Sequence, residues 1–238
     1  MNPAGSTVQV RRRDDVVVEE LSRLTLQTFD QAVPWRQFRA YRGQRHYSGS
    51  YWAATMESFV GYESRLELAN LLCEDFDPES TWMLSQPFLL EGTDGRRARR
   101  HVPDYLVERD GSACVIDVKP SALLSEPKIA AALEWSARMI RSIGWDYVVL
   151  SEPDPVRLAN IRFLAGYRRA LQFPPAEVEA ACAVIDEPMT IAGAVRAASR
   201  IASPEFARAV VLHLMWTGWL VTDLSEPLES TTIVEPTP

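Results

Sequence analysis

A chain of 238 residues, 47% apolar and 24% charged, has room for one large domain, or for a domain of about 170 residues with a small appendage, and is too apolar for pervasive disorder. It holds no run of 18 or more uncharged apolar residues, and Arg11, Arg12, Arg13, Asp14 and Asp15 stand where a secretory signal would be apolar, so a cytoplasmic protein without membrane segments is expected. The net charge of -7 disfavours a protein that binds nucleic acid with its whole surface, but it is unevenly spread: residues 1–170 hold 22 Lys/Arg against 23 Asp/Glu, and residues 171–238 hold 3 against 9.

In chain order, residues 1–34 are polar, end at Val33-Pro34, and are expected to be partly disordered or loosely docked. Arg36, Arg39, Arg42 and Arg45 follow with no acid among them, interleaved by Trp35, Phe38, Tyr41, His46 and Tyr47; a phosphate backbone or plain solvent would suit such a surface. Helical spacing of Leu66, Leu68, Ala69, Leu71 and Leu72 predicts a helix over 62–75, stopped by Asp77-Pro78. A strand is expected over 82–90 and a turn over 92–95, and then Arg96, Arg97, Arg99 and Arg100 form a second basic cluster with the same two readings. Strand-like runs over 99–109 and 112–119 flank Asp110-Gly111, a strong hairpin signal. Helices over 128–143 and 155–173 enclose a short strand over 146–151, and Pro174-Pro175 marks a boundary. Helix, three strands, helix, strand, helix suits an α/β domain over 35–173 with a mixed sheet flanked by helices. Short helices at 176–185, 190–201 and 204–217, followed by an alternating stretch over 219–234, match a small winged-helix-like domain over 176–234.

The chemistry concentrates in the hairpin. With Asp110-Gly111 as a two-residue turn, Asp104 lies opposite Asp117, and cross-strand partners have Cβ atoms about 4.5–5.5 Å apart on one face. Two carboxylates so placed repel each other, and a divalent cation removes the conflict. Lys119 shares their face by period-2 alternation, while Ile116 and Val118 point to the other. Mg²⁺ uses one or two protein carboxylates and leaves positions for water and phosphate, so the pair suits it, and Mn²⁺ is an alternative. The competing reading makes Asp104 a strand opener after Pro103, and Asp117 with Lys119 a surface ion pair. By the same parity His101 falls on the far face from Asp104, as a structural residue or a phosphate contact. Cys73, Cys114 and Cys182 form no CxxC or Cys/His pattern and read as buried free thiols.

Val102-Pro103-Asp104 with Ile116-Asp117-Val118-Lys119 resembles the PD-(D/E)xK signature of metal-dependent nucleases. Val118-Lys119-Pro120 and the upstream Leu66-Glu67-Leu68 are more particularly similar to TnsA-like transposon-end endonucleases. That resemblance implies a restriction-endonuclease-like fold and in-line hydrolysis of DNA, with Glu67, Asp104, Asp117 and Lys119 as catalytic residues, of which Glu67, Asp104 and Asp117 hold the metal. Glu63, one turn before Glu67, competes for the role of helix acid, and Glu134 matches a further acid in a downstream helix. The implied partners are double-stranded DNA, reached through Arg39, Arg42, Arg45, Arg97 and Arg100, together with a DDE-type transposase subunit and an AAA+ ATPase regulator, the latter engaged by the acidic C-terminal domain. A stand-alone restriction, repair or defence nuclease and a non-catalytic adaptor on the same fold remain the alternatives.

Overall fold

The computed structural model describes residues 5–36 and 47–237, apart from the side chains of residues 204 and 205. The chain is a mixed α/β protein that divides into two compact units: residues 1–71 with 79–152, and residues 72–78 with 153–238. That division falls after Glu152, not at the proline pair 174–175. No helix among the described residues is long and apolar enough to cross a membrane.

The first unit begins with β1 (Thr7–Arg11) and β2 (Val16–Glu20), followed by a two-stranded hairpin of β3 (Gly49–Ala53) and β4 (Ser58–Tyr62). Next come α1 (Arg65–Phe76), β5 (Ser80–Ser85), β6 (Leu89–Asp94), β7 (Arg97–His101), β8 (Tyr105–Arg109), β9 (Ser112–Val118), α2 (Pro127–Arg141) and β10 (Asp146–Leu150). Two four-stranded sheets result, in the orders β2-β1-β6-β7 and β10-β9-β8-β5. Strands β9 and β10 are parallel, joined across α2 as parallel neighbours require, and the other pairs are antiparallel.

The expectation of a loosely docked N-terminus is corrected over the described residues. Val8, Val10, Leu21, Leu24 and Phe29 are buried in a core with Leu90, Leu106, Val115, Trp135, Met139 and Ile140, between the two sheets and α2. Val8 and Val10 alternate with Gln9 and Arg11, a short period-2 pattern hidden by the surrounding charge. On the opposite face of the second sheet, Tyr105, Val107, Cys114, Ile116 and Val118 pack with Leu71 of α1 and with Ala53 and Val60 of the small hairpin. Each fully buried Leu or Ile of these layers contributes about 1.5–3 kcal/mol.

Two expected strands each prove to be two. The run over 82–90 divides into β5 and β6, separated by Gln86, at φ 45°, and Pro87. The run over 99–109 divides into β7 and β8 at Val102-Pro103. In both cases the chain leaves one sheet for the other. Proline cannot donate to a ladder, so both prolines fit crossings better than strand interiors.

The second unit holds α3 (Pro155–Leu164), α4 (Pro175–Val184), β11 (Met189–Thr190), α5 (Ile191–Ala198), α6 (Pro204–Trp216), β12 (Leu220–Val221) and β13 (Ile233–Pro236). The expected helix over 155–173 stops at Leu164 and continues as two short 3-10 turns. Side-chain caps start three helices: Asp154 accepts from Arg157 N–H at 2.8 Å, Thr190 from Gly193 at 3.0 Å and Ser203 from Phe206 at 3.4 Å. The three short strands form one sheet in the order β11-β13-β12.

Candidate active site

The hairpin that carries the acids closes through Asp110 and Gly111, at φ 48° and 75°, the left-handed pair that a two-residue turn of primed type requires. Its register places Tyr105 opposite Ile116 and Arg109 opposite Ser112, with each pair equidistant from the turn. Leu106 and Val115 face the core shared with α2, whereas Tyr105 and Ile116 face α1, so alternation puts Asp104, Asp117 and Lys119 on the α2 side.

Regular pairing ends before Asp104. Its N–H donates to Ile116 O at 3.1 Å, and its carboxylate accepts the Val118 N–H at 2.6 Å, taking the place of a ladder bond at the strand end. Lys119 Nζ lies 3.2 Å from Asp104 Oδ2 and donates to Val118 O at 2.9 Å. Burial pushes the Asp104 carboxyl above its ordinary value; Lys119 opposes that shift and the Asp117 charge adds to it. Burial would pull the Lys119 ammonium down, but Asp104, Asp117 and Glu67 outweigh it and hold the ammonium up. Glu67, Asp104, Asp117 and Lys119 thus share one electrostatic environment.

Asp117 itself is fully buried. His101 Nε2 lies 2.9 and 2.7 Å from its two oxygens, and the Tyr147 hydroxyl donates to Oδ2. The far-face placement of His101 is therefore corrected. The parity behind it assumed one strand over 99–109, whereas His101 ends β7 of the other sheet. Burial, and then the Asp117 charge, push the Tyr147 phenol far up, so the hydroxyl stays protonated as a donor.

Glu67 sits in the first turn of α1. Its carboxylate accepts from Glu63 N–H at 2.7 Å and from Ser64 Oγ at 2.9 Å, while Ser64 Oγ accepts the Glu67 N–H at 3.1 Å. This pattern resembles a capping box, with the return bond taken from the Glu63 N–H and the Ser64 hydroxyl, and Glu67 closes the helix start that the spacing Ser64-x-x-Glu67 announces. Burial raises the Glu67 carboxyl, and the Asp104 charge adds to that effect. Glu63 is half-buried and supplies the backbone donor. The helix is tied to the hairpin's strand ends by buried Asn70, whose amide donates to Leu66 O and Ser151 O, both at 3.0 Å, while Ser151 Oγ donates to Lys119 O at 2.8 Å.

Other expected residues lie elsewhere. Glu134 is exposed on α2, whose inward positions are Leu133, Trp135, Ser136, Met139 and Ile140. Among the described residues no group of three or more His, Cys, Asp or Glu side chains stands together as a metal-holding cluster. Burial of Asp117 and the capping bonds of Glu67 account for that. Arg39, Arg42 and Arg45 lie outside the described residues, and Arg36 is exposed. In the second cluster Arg99 pairs with Asp94 at 2.9 Å and Arg100 with Glu91 at 2.5 Å, while Arg96 and Arg97 are exposed. The cysteines are free thiols.

A divalent ion with two protein carboxylates asks for oxygen donors brought close against their mutual repulsion. The Asp117 charge acts on Asp104, which is partly open at 16% side-chain exposure. No family model matches this chain, and no curated protein matches it.

Proposed function

We propose that the chain is a metal-dependent DNA endonuclease of the PD-(D/E)xK kind, in particular one resembling the TnsA-like subunit that cuts 5′ strands at transposon ends. The observation that carries this reading is the Lys119–Asp104 pair at 3.2 Å, set at the open end of a hairpin whose register also brings Asp117 to the same environment. The element order α1, β5, β8, β9, α2, β10 supports a restriction-endonuclease-like core. The order α4, β11, α5, α6, β12, β13, with β13 central in its sheet, supports a winged-helix-like second domain.

Asp104 and Asp117 would hold Mg²⁺ or Mn²⁺, which when bound lowers the pKa of water and stabilises charge on a phosphoryl oxygen. Lys119, fixed by Asp104 and Val118 O, places an ammonium where it orients an attacking water and offsets charge on the phosphate. Glu67 fixes the helix start beside them. The acidity of residues 171–238 favours a basic protein partner for the second unit over phosphate contact, which fits an ATPase regulator and a DDE-type transposase subunit as co-workers.

One observation favours a second reading, a non-catalytic adaptor on the same fold: Asp117 is fully buried and its carboxylate is already engaged by His101 and Tyr147. The two readings separate in one assay, nicking of supercoiled plasmid by the full chain with Mg²⁺ or Mn²⁺, alone and with its neighbouring-gene products. Nicking that disappears with EDTA and in Lys119→Ala supports the nuclease. Its absence under every condition supports the adaptor.

A further inference from the structure

The polar interior of the first unit extends beyond the four residues assigned above. His101, with a side chain 19% exposed, places Nε2 at 2.7 and 2.9 Å from the Asp117 oxygens, so one ring N–H is shared between them. Tyr147 is 4% exposed and donates its hydroxyl to Asp117 Oδ2 from β10, the parallel neighbour of β9. The Ser136 hydroxyl of α2, fully buried, lies beside that phenol. Two elements, β7 and β10, therefore converge on one carboxylate that neither of them carries, and α2 backs the phenol. A buried carboxylate with two donors cannot turn freely, because leaving either donor strands a polar group in an apolar core.

We propose that His101 and Tyr147 are positioning residues for Asp117, holding its carboxylate in the orientation in which it meets a divalent cation shared with Asp104. The proposal rests on the metal-dependent reading above. Groups that fix a ligating carboxylate from behind commonly change metal affinity as strongly as they change activity. The arrangement also makes the site a joint product of both sheets, since His101 closes the strand that carries Arg97, Arg99 and Arg100, whereas Asp117 belongs to the hairpin. His101 and Tyr147 are the side chains that hold the Asp117 carboxylate.

Mn²⁺ binding to the full-length protein, read by electron paramagnetic resonance as loss of the free-ion signal, tests this without reference to cleavage, with thermal unfolding measured alongside. Wild type is compared with His101→Ala, His101→Gln, Tyr147→Phe and Asp104→Asn. We expect His101→Ala and Tyr147→Phe to weaken Mn²⁺ binding roughly 10- to 100-fold. His101→Gln, whose amide can still donate, should recover part of the loss, and recovery of binding by a donor is a result that a merely structural histidine would not give. Should His101→Ala fail to fold, Tyr147→Phe and His101→Gln carry the test. Wild-type affinity in Tyr147→Phe and, where it folds, in His101→Ala, together with weakened binding in Asp104→Asn, would overturn the positioning role and leave the metal site standing. Absence of binding in wild type itself would overturn both.

Discussion

The hairpin of β8 and β9 and the stretch of residues 153–238 treat buried polarity in different ways. In the second, the buried side chains Asn160 and His213 are neutral groups satisfied by backbone: Asn160 donates to Leu224 O at 2.9 Å and Glu226 O at 2.8 Å and accepts from Leu228 N at 3.2 Å, and His213 Nδ1 meets Tyr167 O at 2.7 Å while its ring stacks on Phe173. In the first, two carboxylates that repel each other are held near a lysine, and one of them is fully buried. Neutral groups bonded to backbone fix a loop or a helix and ask for nothing more. Like charges retained in an interior oppose folding unless a cation or a chemical task compensates. That contrast separates a structural interior from a candidate site inside one chain.

The largest expected effect lies at the charged site. Lys119→Ala and Asp104→Asn should each lower metal-dependent nicking by at least about a hundredfold, as expected when a group that stabilises developing charge is lost. Thermal unfolding of Asp104→Asn should change little, because relief of the repulsion from Asp117 offsets weakening of the Lys119 and Val118 bonds. A large fall in Tm for Asp104→Asn, seen by calorimetry, would instead mark this acid as structural and break the comparison.

The opposite pattern is expected at Asn160. Asn160→Ala leaves two carbonyls and one N–H without their partner and should destabilise the protein by about 2–3 kcal/mol in urea unfolding. Nicking per folded molecule should not change.

His213 sharpens the same contrast through pH. Burial holds its imidazole below the ordinary value of 6.5, against a smaller opposing effect of the Tyr167 carbonyl. The unfolded chain therefore binds the proton more readily than the folded one. The contribution is fully present above pH 6.5 and is lost as pH falls below it toward the lowered folded value. His213→Gln should flatten the decline in Tm between pH 7 and pH 5 relative to wild type; an unchanged slope would show that the ring is not held neutral by its surroundings. The smallest effect belongs to Glu134→Ala. This exposed change should stay within about 0.5 kcal/mol of wild type in stability and leave nicking as it was.

Much of this arrangement could be read from the chain because local chemistry and long-range placement agree at the hairpin. Asp110-Gly111 determines the turn, the turn determines the register, and alternation then assigns faces to Ile116, Asp117 and Val118. Reading failed where the chain changes sheets. Pro87 and Pro103 mark both crossings, yet apolar runs on either side look continuous, and the parity carried across Val102-Pro103 placed His101 on the wrong side. Tyr147 reaches Asp117 only through a parallel pairing across α2, which no local pattern announces. Ser64-x-x-Glu67 has the spacing of a helix start, at the same residue to which the resemblance assigns a helix acid. At the N-terminus the arginines and aspartates of 11–15 obscured the alternation of Val8 and Val10.

The central claim is that Asp104 and Asp117 take a divalent cation between them. A crystal of the full chain grown with Mn²⁺, examined by anomalous scattering, tests this most directly and needs no partner protein or DNA. The account predicts a peak about 2.0–2.3 Å from an oxygen of each carboxylate, with the Lys119 ammonium displaced from Asp104 and the His101 bond to Asp117 retained. A map with no peak at this site and the Lys119–Asp104 pair undisturbed at saturating Mn²⁺ would contradict it.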